Sequence, residues 1–439
     1  MSAAPGWIAD LTALPGQPVS ADPLGFPGYA EQRERAAGKS GSDESVLAAT
    51  ATIGGTEVAV AVFDFAYMGG SMGEATGARI ARAVDTAIER RIPFVSVTAS
   101  GGARMQEGMR ALVQMQRNGA AIERLRAAGI PQLAVARHPT TGGVWASLAS
   151  NADVVIAEAG ATVAFAGGRV RGGADDEPAV TAAGKLASGA VDVVVAADDL
   201  GDVVAQHVRI LAAAVATAPE RHDPPPALGD TSEPSAGWAA VQRARDPQRP
   251  RAAAYLDALF EQRIAISGDR AGGTDPQMLC GFGLDEHGAV TAYVAQAGGA
   301  NTPAGFRTAI RLLNLAAAWG VPVLTLVDTP GAANDAAAEE QGIGTAIAQT
   351  FAAVARTRTT VPVTSLVIGE GGSGGALAIA DPENLWAAPS SFFSVIAPEG
   401  AAAILHRDPA RAAEVADLLH VGPRELEALG IVRGVVAPV

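Results

Sequence analysis

Read as a pattern of apolar and polar positions, the chain repeats itself. In the first half Ile80, Val84 and Ile88 share one helical face. Ser71-Met72-Gly73-Glu74 would open that helix as a capping box, the Ser closing the first backbone N–H groups and the Glu reaching back. An Ile92-Pro93 step ends the helix and leads through the short apolar run Phe94-Val95-Ser96-Val97 to Ser100-Gly101-Gly102-Ala103. A second step, Ile130-Pro131, leads to Thr140-Thr141-Gly142-Gly143. In the second half Thr302 can cap a helix with Pro303 in its first turn, Phe306, Ile310, Leu313 and Ala317 share a face, and Gly320 stops it. Val321-Pro322 then leads through residues 323–327 to Thr329-Pro330-Gly331-Ala332, and Val361-Pro362 leads to the glycine run 369–375. Pro93 and Pro131 stand 38 positions apart and Pro322 and Pro362 stand 40 apart; Gly189-Ala190-Val191 against Gly430-Ile431-Val432 is a third shared landmark. Repetition on this scale predicts two related domains.

A helix followed by a short β-branched strand, repeated, predicts an α/β fold of parallel strands with helical crossovers, in which ligands sit at the carboxyl ends of the strands. Every glycine turn falls at such an end, beside a helix start where bare backbone N–H groups welcome negative charge. Residues 44–65 read as a β-hairpin turning at Gly54-Gly55, and residues 278–296 as a similar pair turning at Asp285-Glu286-His287-Gly288. Proline-rich linker chemistry interrupts the periodicity between residues 218 and 238. Residues 1–45, with Asp22-Pro23-Leu24-Gly25-Phe26-Pro27, show no sustained period and read as an arm or lid. The expected layout is an arm over 1–45, a first domain over 46–218, a linker over 219–237 and a second domain over 238–439.

With 439 residues there is enough chain for two cores. A net charge of −14 argues against binding nucleic acid or an anionic membrane surface. Cys280 is the lone cysteine, so no internal disulfide or cysteine-cluster metal site can form, which fits a reducing compartment. Residues 1–16 carry no basic start or long apolar stretch, and no window reaches 18 uninterrupted apolar residues. A soluble, cytoplasmic protein is the expectation.

The glycine turns admit several chemistries. Gly369-x-Gly371-x-x-Gly374 matches a dinucleotide fingerprint, but the acidic residue due about 20 positions later is missing: Asp381 is too near and position 391 is Ser. Gly371-x-Ser373-x-Gly375 matches a nucleophile elbow, and with His406 and His420 downstream a triad stays open. Enolate chemistry suits the glycines better. A carbanion beside a thioester places negative charge on the carbonyl oxygen, which two convergent N–H groups can hold, and a glycine lets the backbone approach closely. Met105, Met109 and Met115, in line with Leu112 and Val113, read as core packing. Arg104 reads as an ion-pair partner of Glu107 or another acid, His138 as a structural hydrogen-bond donor or acceptor, and Glu370 and Glu399 as helix-capping carboxylates.

Longer motifs carry a resemblance. Phe63-Asp64-Phe65-Ala66-Tyr67-Met68-Gly69-Gly70-Ser71-Met72-Gly73, Ala99-Ser100-Gly101-Gly102-Ala103-Arg104-Met105-Gln106-Glu107-Gly108 and Pro139-Thr140-Thr141-Gly142-Gly143-Val144 resemble the carboxyltransferase β subunit of bacterial acetyl-CoA carboxylase. Val327-Asp328-Thr329-Pro330-Gly331-Ala332, the run 368–379 and Ser394-Val395-Ile396-Ala397-Pro398-Glu399-Gly400 resemble its α subunit. The resemblance spans about residues 22–435 and implies a fused β–α carboxyltransferase, two tandem crotonase-like domains of repeated ββα superhelical units. It further implies acyl-CoA held by the first half, carboxybiotin by the second, and an active site between facing domains of different protomers, hence at least a homodimer. On this resemblance Gly101 and Gly102 would hold the thioester enolate oxygen and Gly375 and Ala376 the biotin ureido oxygen, while Gly142, Gly143, Gly331, Ala332, Gly371 and Gly372 would shape the pocket. Biotin itself would take the α-proton. The four-cysteine zinc ribbon common in the β subunit is missing, so no zinc is expected. Lys39 and Lys185, the only lysines, lack the methionine neighbour of a biotinylation site. Biotin must therefore arrive on a separate carrier protein, with a biotin carboxylase as a further partner. A biotin-independent decarboxylase of malonyl-CoA, or of another malonyl thioester, is the alternative reading.

Overall fold

In the first half the apolar runs become strands β1 (Ile8–Ala13), β2 (Val46–Ile53), β3 (Thr56–Phe63), β4 (Phe94–Ser100), β5 (Gln132–Thr141), β6 (Val154–Glu158), β7 (Val163–Ala164) and β8 (Val193–Val195). The computed structural model describes residues 4–16, 22–167, 172 and 177–438, and its two compact units part between Ala216 and Thr217. Among the described residues the first unit holds one sheet, ordered β1-β2-β3-β4-β5-β6-β8 with β7 on the end of β5. β1, β2 and β3 run antiparallel, with the β2–β3 turn at Gly54-Gly55; from β3 onward every pairing is parallel. Parallel strands covered on both faces read as continuous apolar runs, as Val154-Val155-Ile156-Ala157 of β6 does.

The helix Glu74–Arg90 buries Ile80, Ala83, Val84 and Ala87 against Phe94, Ile122 and Leu125. Each large apolar side chain buried there contributes about 1.5–3 kcal/mol. The helix opens differently from the expected capping box. Its N-cap is Gly73, whose N–H donates to Thr76 Oγ1 at 3.0 Å, while Ser71 Oγ accepts instead from Arg104 Nε at 3.3 Å. Glu74 reaches Arg110 at 2.8 Å rather than turning back.

The N-terminal stretch read as irregular contains β1, paired with β2, and a helix, Tyr29–Ser40. That helix is too polar to show an apolar period; the fully buried Tyr29 docks it, with Arg33 donating to the Tyr67 hydroxyl at 3.3 Å and Gln32 accepting from Gln106 at 2.8 Å.

The second unit has β9 (Gln262–Ala265), β10 (Met278–Leu284), β11 (Val290–Gln296), β12 (Val323–Thr329), β13 (Val363–Gly372), β14 (Leu385–Ala387) and β15 (Phe392–Ser394). Their order is β14-β13-β12-β11-β10-β9, with β15 on the end of β13. β9, β10 and β11 are antiparallel and β11 through β14 parallel, the scheme of the first unit again. Thr302 caps the helix Pro303–Trp319 and Gly320 ends it in the left-handed region. Its buried face is centred on Phe306, Ala309, Leu313 and Ala316, with Ile310 only partly covered, because the small alanines permit the closest packing. Residues 217–236 lie on this unit: Ala227 N–H donates to Ala437 O at 2.8 Å and Leu228 N–H to the Tyr255 hydroxyl at 3.1 Å. Among the described residues no helix is long and apolar enough to cross a membrane.

Candidate active site

The strand registers align the two halves residue by residue. Phe94 lies opposite Gln132 as Val323 lies opposite Val363, and both pairings slip just before the strand ends, leaving Ser100 opposite Thr140 and Thr329 opposite Gly371. Counting onward, Gly102 corresponds to Gly331 and Gly142 to Ser373.

The turns are locked by the same device. Gly102 N–H donates to Ser100 Oγ at 3.0 Å and Gly331 N–H to Thr329 Oγ1 at 3.1 Å. Gly102 O accepts from Met72 N–H at 2.8 Å and Gly331 O from Asn301 N–H at 3.2 Å; Met72 O and Asn301 O accept in turn from Arg104 N–H and Ala333 N–H. The φ angles of Gly102 (112°) and Gly331 (140°) are open to glycine and to few other residues. The Gly189 and Gly430 landmarks match as well, Ala190 and Val191 bonding back to Lys185 O as Ile431 and Val432 bond back to Leu426 O.

Each locked turn faces a second strand-to-helix turn in its own unit. A Cβ on Gly142 would lie 2.8 Å from Gly102 Cα, so these two backbones touch. A Cβ on Gly372 would lie 2.1 Å from Pro330 O, and one on Gly375 2.4 Å from Ala332 N. Gly142 and Ser373 begin the facing helical turns with φ of 64° and 58°. Gly142 and Gly143 on one side, and Ser373, Gly374 and Gly375 on the other, occupy first turns, where N–H groups have no acceptor within the helix. Ala376 follows, fully buried. Gly101 and Gly102 differ: Gly101 N–H already donates to Gly69 O at 2.9 Å, and Gly102 N–H is held by Ser100. Gly371 packs against the Phe393 ring, 2.5 Å from where its Cβ would stand.

Charge is buried behind both turns. Arg104, 1% exposed, donates to Glu44, to Glu107 at 3.1 Å, to the Tyr29 hydroxyl at 3.2 Å and to Ser71 O at 2.7 Å, so the ion-pair expectation describes it. Burial alone would push the Glu44 carboxyl up, but the hydrogen bonds and charge of Arg104 outweigh it and hold that carboxyl below its ordinary value. Burial pushes the Tyr29 phenol up, and the Glu107 carboxylate that accepts from it at 2.6 Å adds to the shift. In the second unit Asp328, fully buried, accepts from Arg249 at 2.6 Å and from Glu370 N–H at 3.1 Å. Glu370 and Glu399 both pair with Arg245, at 3.1 and 2.6 Å, rather than capping a helix, although Glu399 does lie in a first helical turn. The Arg245 hydrogen bond holds the Glu399 carboxyl low.

The rival chemistries find little support. Gly369 and Gly371 belong to strand β13, not to a phosphate-cradling loop. The Ser373 hydroxyl has no hydrogen-bond partner among the described residues, and His420 is engaged with Glu425 at 3.1 Å. His138 Nδ1 accepts from Thr162 N–H at 3.3 Å, a structural duty as expected. Met105 and Met109 are 86% and 69% exposed, against the expectation of core packing, because they lie in short turns ahead of the longer helix Gln114–Ala127. Sequence reading missed Ser100 and Thr329 as locks, and Asp328 with Arg249. A hydroxyl two residues before a turn glycine in both halves was the available signal for the locks.

Comparison with known proteins meets this geometry. A family model described as "Acetyl co-enzyme A carboxylase carboxyltransferase-like" matches residues 231–438. The acetyl-coenzyme A carboxylase carboxyl transferase subunits beta/alpha of Salinispora arenicola are 40% identical, across 97% of this chain and 79% of theirs. The chain belongs to the acetyl-CoA carboxylase carboxyltransferase family. A Mycobacterium bovis protein named "Probable biotin-dependent acyl-coenzyme A carboxylase beta3 subunit" is 35% identical, covering 94% of this chain and 85% of that one. A crystal structure of transcarboxylase 12S with hydrolysed methylmalonyl-coenzyme A bound superposes at a TM-score of 0.77, with 22% identity, over 99% of this chain and 85% of that chain. The carboxyltransferase's two tandem units are thus crotonase-like in fold, and the protein is a transferase of the acyl-CoA carboxylase type.

Proposed function

We propose that this carboxyltransferase moves CO2 from carboxybiotin, carried on a separate protein charged by a biotin carboxylase, to the α-carbon of a short acyl-CoA, with acetyl-CoA giving malonyl-CoA. The observation that carries the reading is the locked glycine turn built twice, each time against a helical first turn that presents backbone N–H groups. In the first unit an open first-turn donor is that of Gly143, which would hold the enolate oxygen, while the Gly142 N–H continues the β5–β7 ladder to Ala164 O. Gly101 and Gly102, their own N–H groups engaged, form the facing wall. In the second unit the first-turn N–H of Gly375 would hold the ureido oxygen beside Ala376, whose own N–H begins the helix ladder, with Gly331, Ala332 and Gly372 as the wall. One such donor lowers a barrier by about 2.7–4 kcal/mol. When bound, carboxybiotin supplies the CO2 and then the base for the α-proton, so the chain needs no histidine dyad.

Homo-oligomerisation belongs to the same reading. Met105, Met109 and Leu112 in the first unit, and Ile404, Leu405 and Leu418 in the second, are apolar side chains left exposed, and a partner protomer would cover them. A cytoplasmic setting suits the lone, buried Cys280. The test is loss of malonyl-CoA by purified protein with and without biocytin. Biocytin-dependent loss is expected; equal loss without it would make the protein a decarboxylase.

A further inference from the structure

The two units share their turn geometry but differ in what stands behind it. Ala59 lies opposite Phe94 and Ala292 opposite Val323, so four residues on, Phe63 and Gln296 occupy the same place at the ends of β3 and β11. The first unit fills that place with an apolar ring. The second puts a fully buried amide there. Gln296 Nε2 donates to Gly375 O at 3.0 Å, while Gln296 Oε1 has no hydrogen-bond partner among the described residues. A buried amide oxygen without a partner costs stability, and the matching site in the first unit shows that the fold accepts an apolar side chain.

We infer that Gln296 is a positioning residue for carboxyl transfer, fixing Gly375 so that the N–H of this first-turn residue is aimed at the ureido oxygen. The inference rests on the function proposed above. Gly375 lies in the first turn of the helix Ser373–Leu377, where its N–H has no acceptor within the helix, and its C=O and N–H belong to one residue whose direction two backbone dihedrals set. A donor that grips the carbonyl from behind therefore sets where the N–H points in front. The Gly375 backbone packs directly on Ala332, so the grip acts on a peptide already pressed against the facing turn.

Gln296→Met keeps the length of the side chain and removes its hydrogen bond. In the biocytin-dependent decarboxylation of malonyl-CoA, kcat should fall by about 10- to 100-fold, the scale of a displaced catalytic group. KM for malonyl-CoA should stay within about twofold, because that substrate is bound by the other unit, and the melting temperature should change little, since the variant removes the unpartnered Gln296 Oε1 but leaves Gly375 O without its donor. An unchanged kcat would overturn the inference. A fall in kcat that tracks a lowered melting temperature would also overturn it, leaving Gln296 a packing residue. A crystal structure of the variant gives a reading free of activity: a rotated Gly375–Ala376 peptide is expected, and an unmoved one would refute the positioning role. Wild-type protein without biocytin-dependent turnover would instead overturn the carboxyl-transfer reading, and the inference with it.

Discussion

Replacing Arg104 by methionine should cost the first unit about 3–5 kcal/mol, the penalty for removing one partner from a buried ion pair. The guanidinium is almost wholly buried and serves two carboxylates, Glu44 and Glu107, that are buried with it. Methionine restores much of the volume but none of the charge, so both carboxylates are stranded, and the Tyr29 hydroxyl and Ser71 O lose a donor. For a domain of this size each kcal/mol moves the midpoint by about 2–4 °C, so calorimetry should record a fall of roughly 6–20 °C. The pH dependence sharpens the test. In the wild type the Glu44 carboxyl is held below its ordinary value of 4.5, so its contribution is present above that pH and lost as pH falls through the folded value. In the variant, burial is unopposed and pushes the carboxyl up, so the penalty is full at neutral pH and fades as acid protonates it. The stability gap should therefore narrow steadily toward about pH 4. A loss under about 1 kcal/mol, or a gap indifferent to pH, would refute the reasoning.

The remaining predictions concern the turns. A Cβ on Gly101 would meet only Gly69 O, at 3.6 Å, so Gly101→Ala should melt within about 1–2 °C of wild type and yet lose most turnover; full turnover would remove this wall from the site. Gly375→Ala should lose turnover and also about 1–3 kcal/mol of stability, because its Cβ would stand 2.4 Å from Ala332 N, and denaturant titration should separate it clearly from Gly101→Ala. Ser373→Gly should melt at or above the wild-type temperature with turnover intact, since glycine is at ease at φ 58°; loss of activity would restore the serine as a nucleophile.

How much was legible in the sequence varied with how local the cause was. The Ile-Pro and Val-Pro steps, the glycine turns and the Thr302 cap lie within a few residues of what they determine, and each formed where the pattern placed it. The helix Tyr29–Ser40 escaped notice because its position rests on polar contacts to residues remote in sequence: Tyr29 with Arg104 and Glu107, Arg33 with Tyr67 and Gln32 with Gln106. The capping box at Ser71 failed for the same reason, the Arg104 guanidinium claiming the serine first. At the site, the glycines were visible but the use of their N–H groups was not. Gly101 and Gly143 look alike as letters, and only the fold shows that one N–H is committed to Gly69 while the other sits in a first helical turn without an acceptor in the helix. The exposed Met105 and Met109 obeyed a helical spacing without a continuous helix to carry it.

The central claim is that the first unit's helical turn holds the thioester oxygen of an acyl-CoA. Crystals grown with acetyl-CoA would test it most directly, through the position of that oxygen. It is expected about 2.7–3.1 Å from the backbone nitrogen of Gly143, with Gly101 and Gly102 opposite. A thioester seated away from that nitrogen, or one docked at Gly375 and Ala376 of the second unit, would contradict the account.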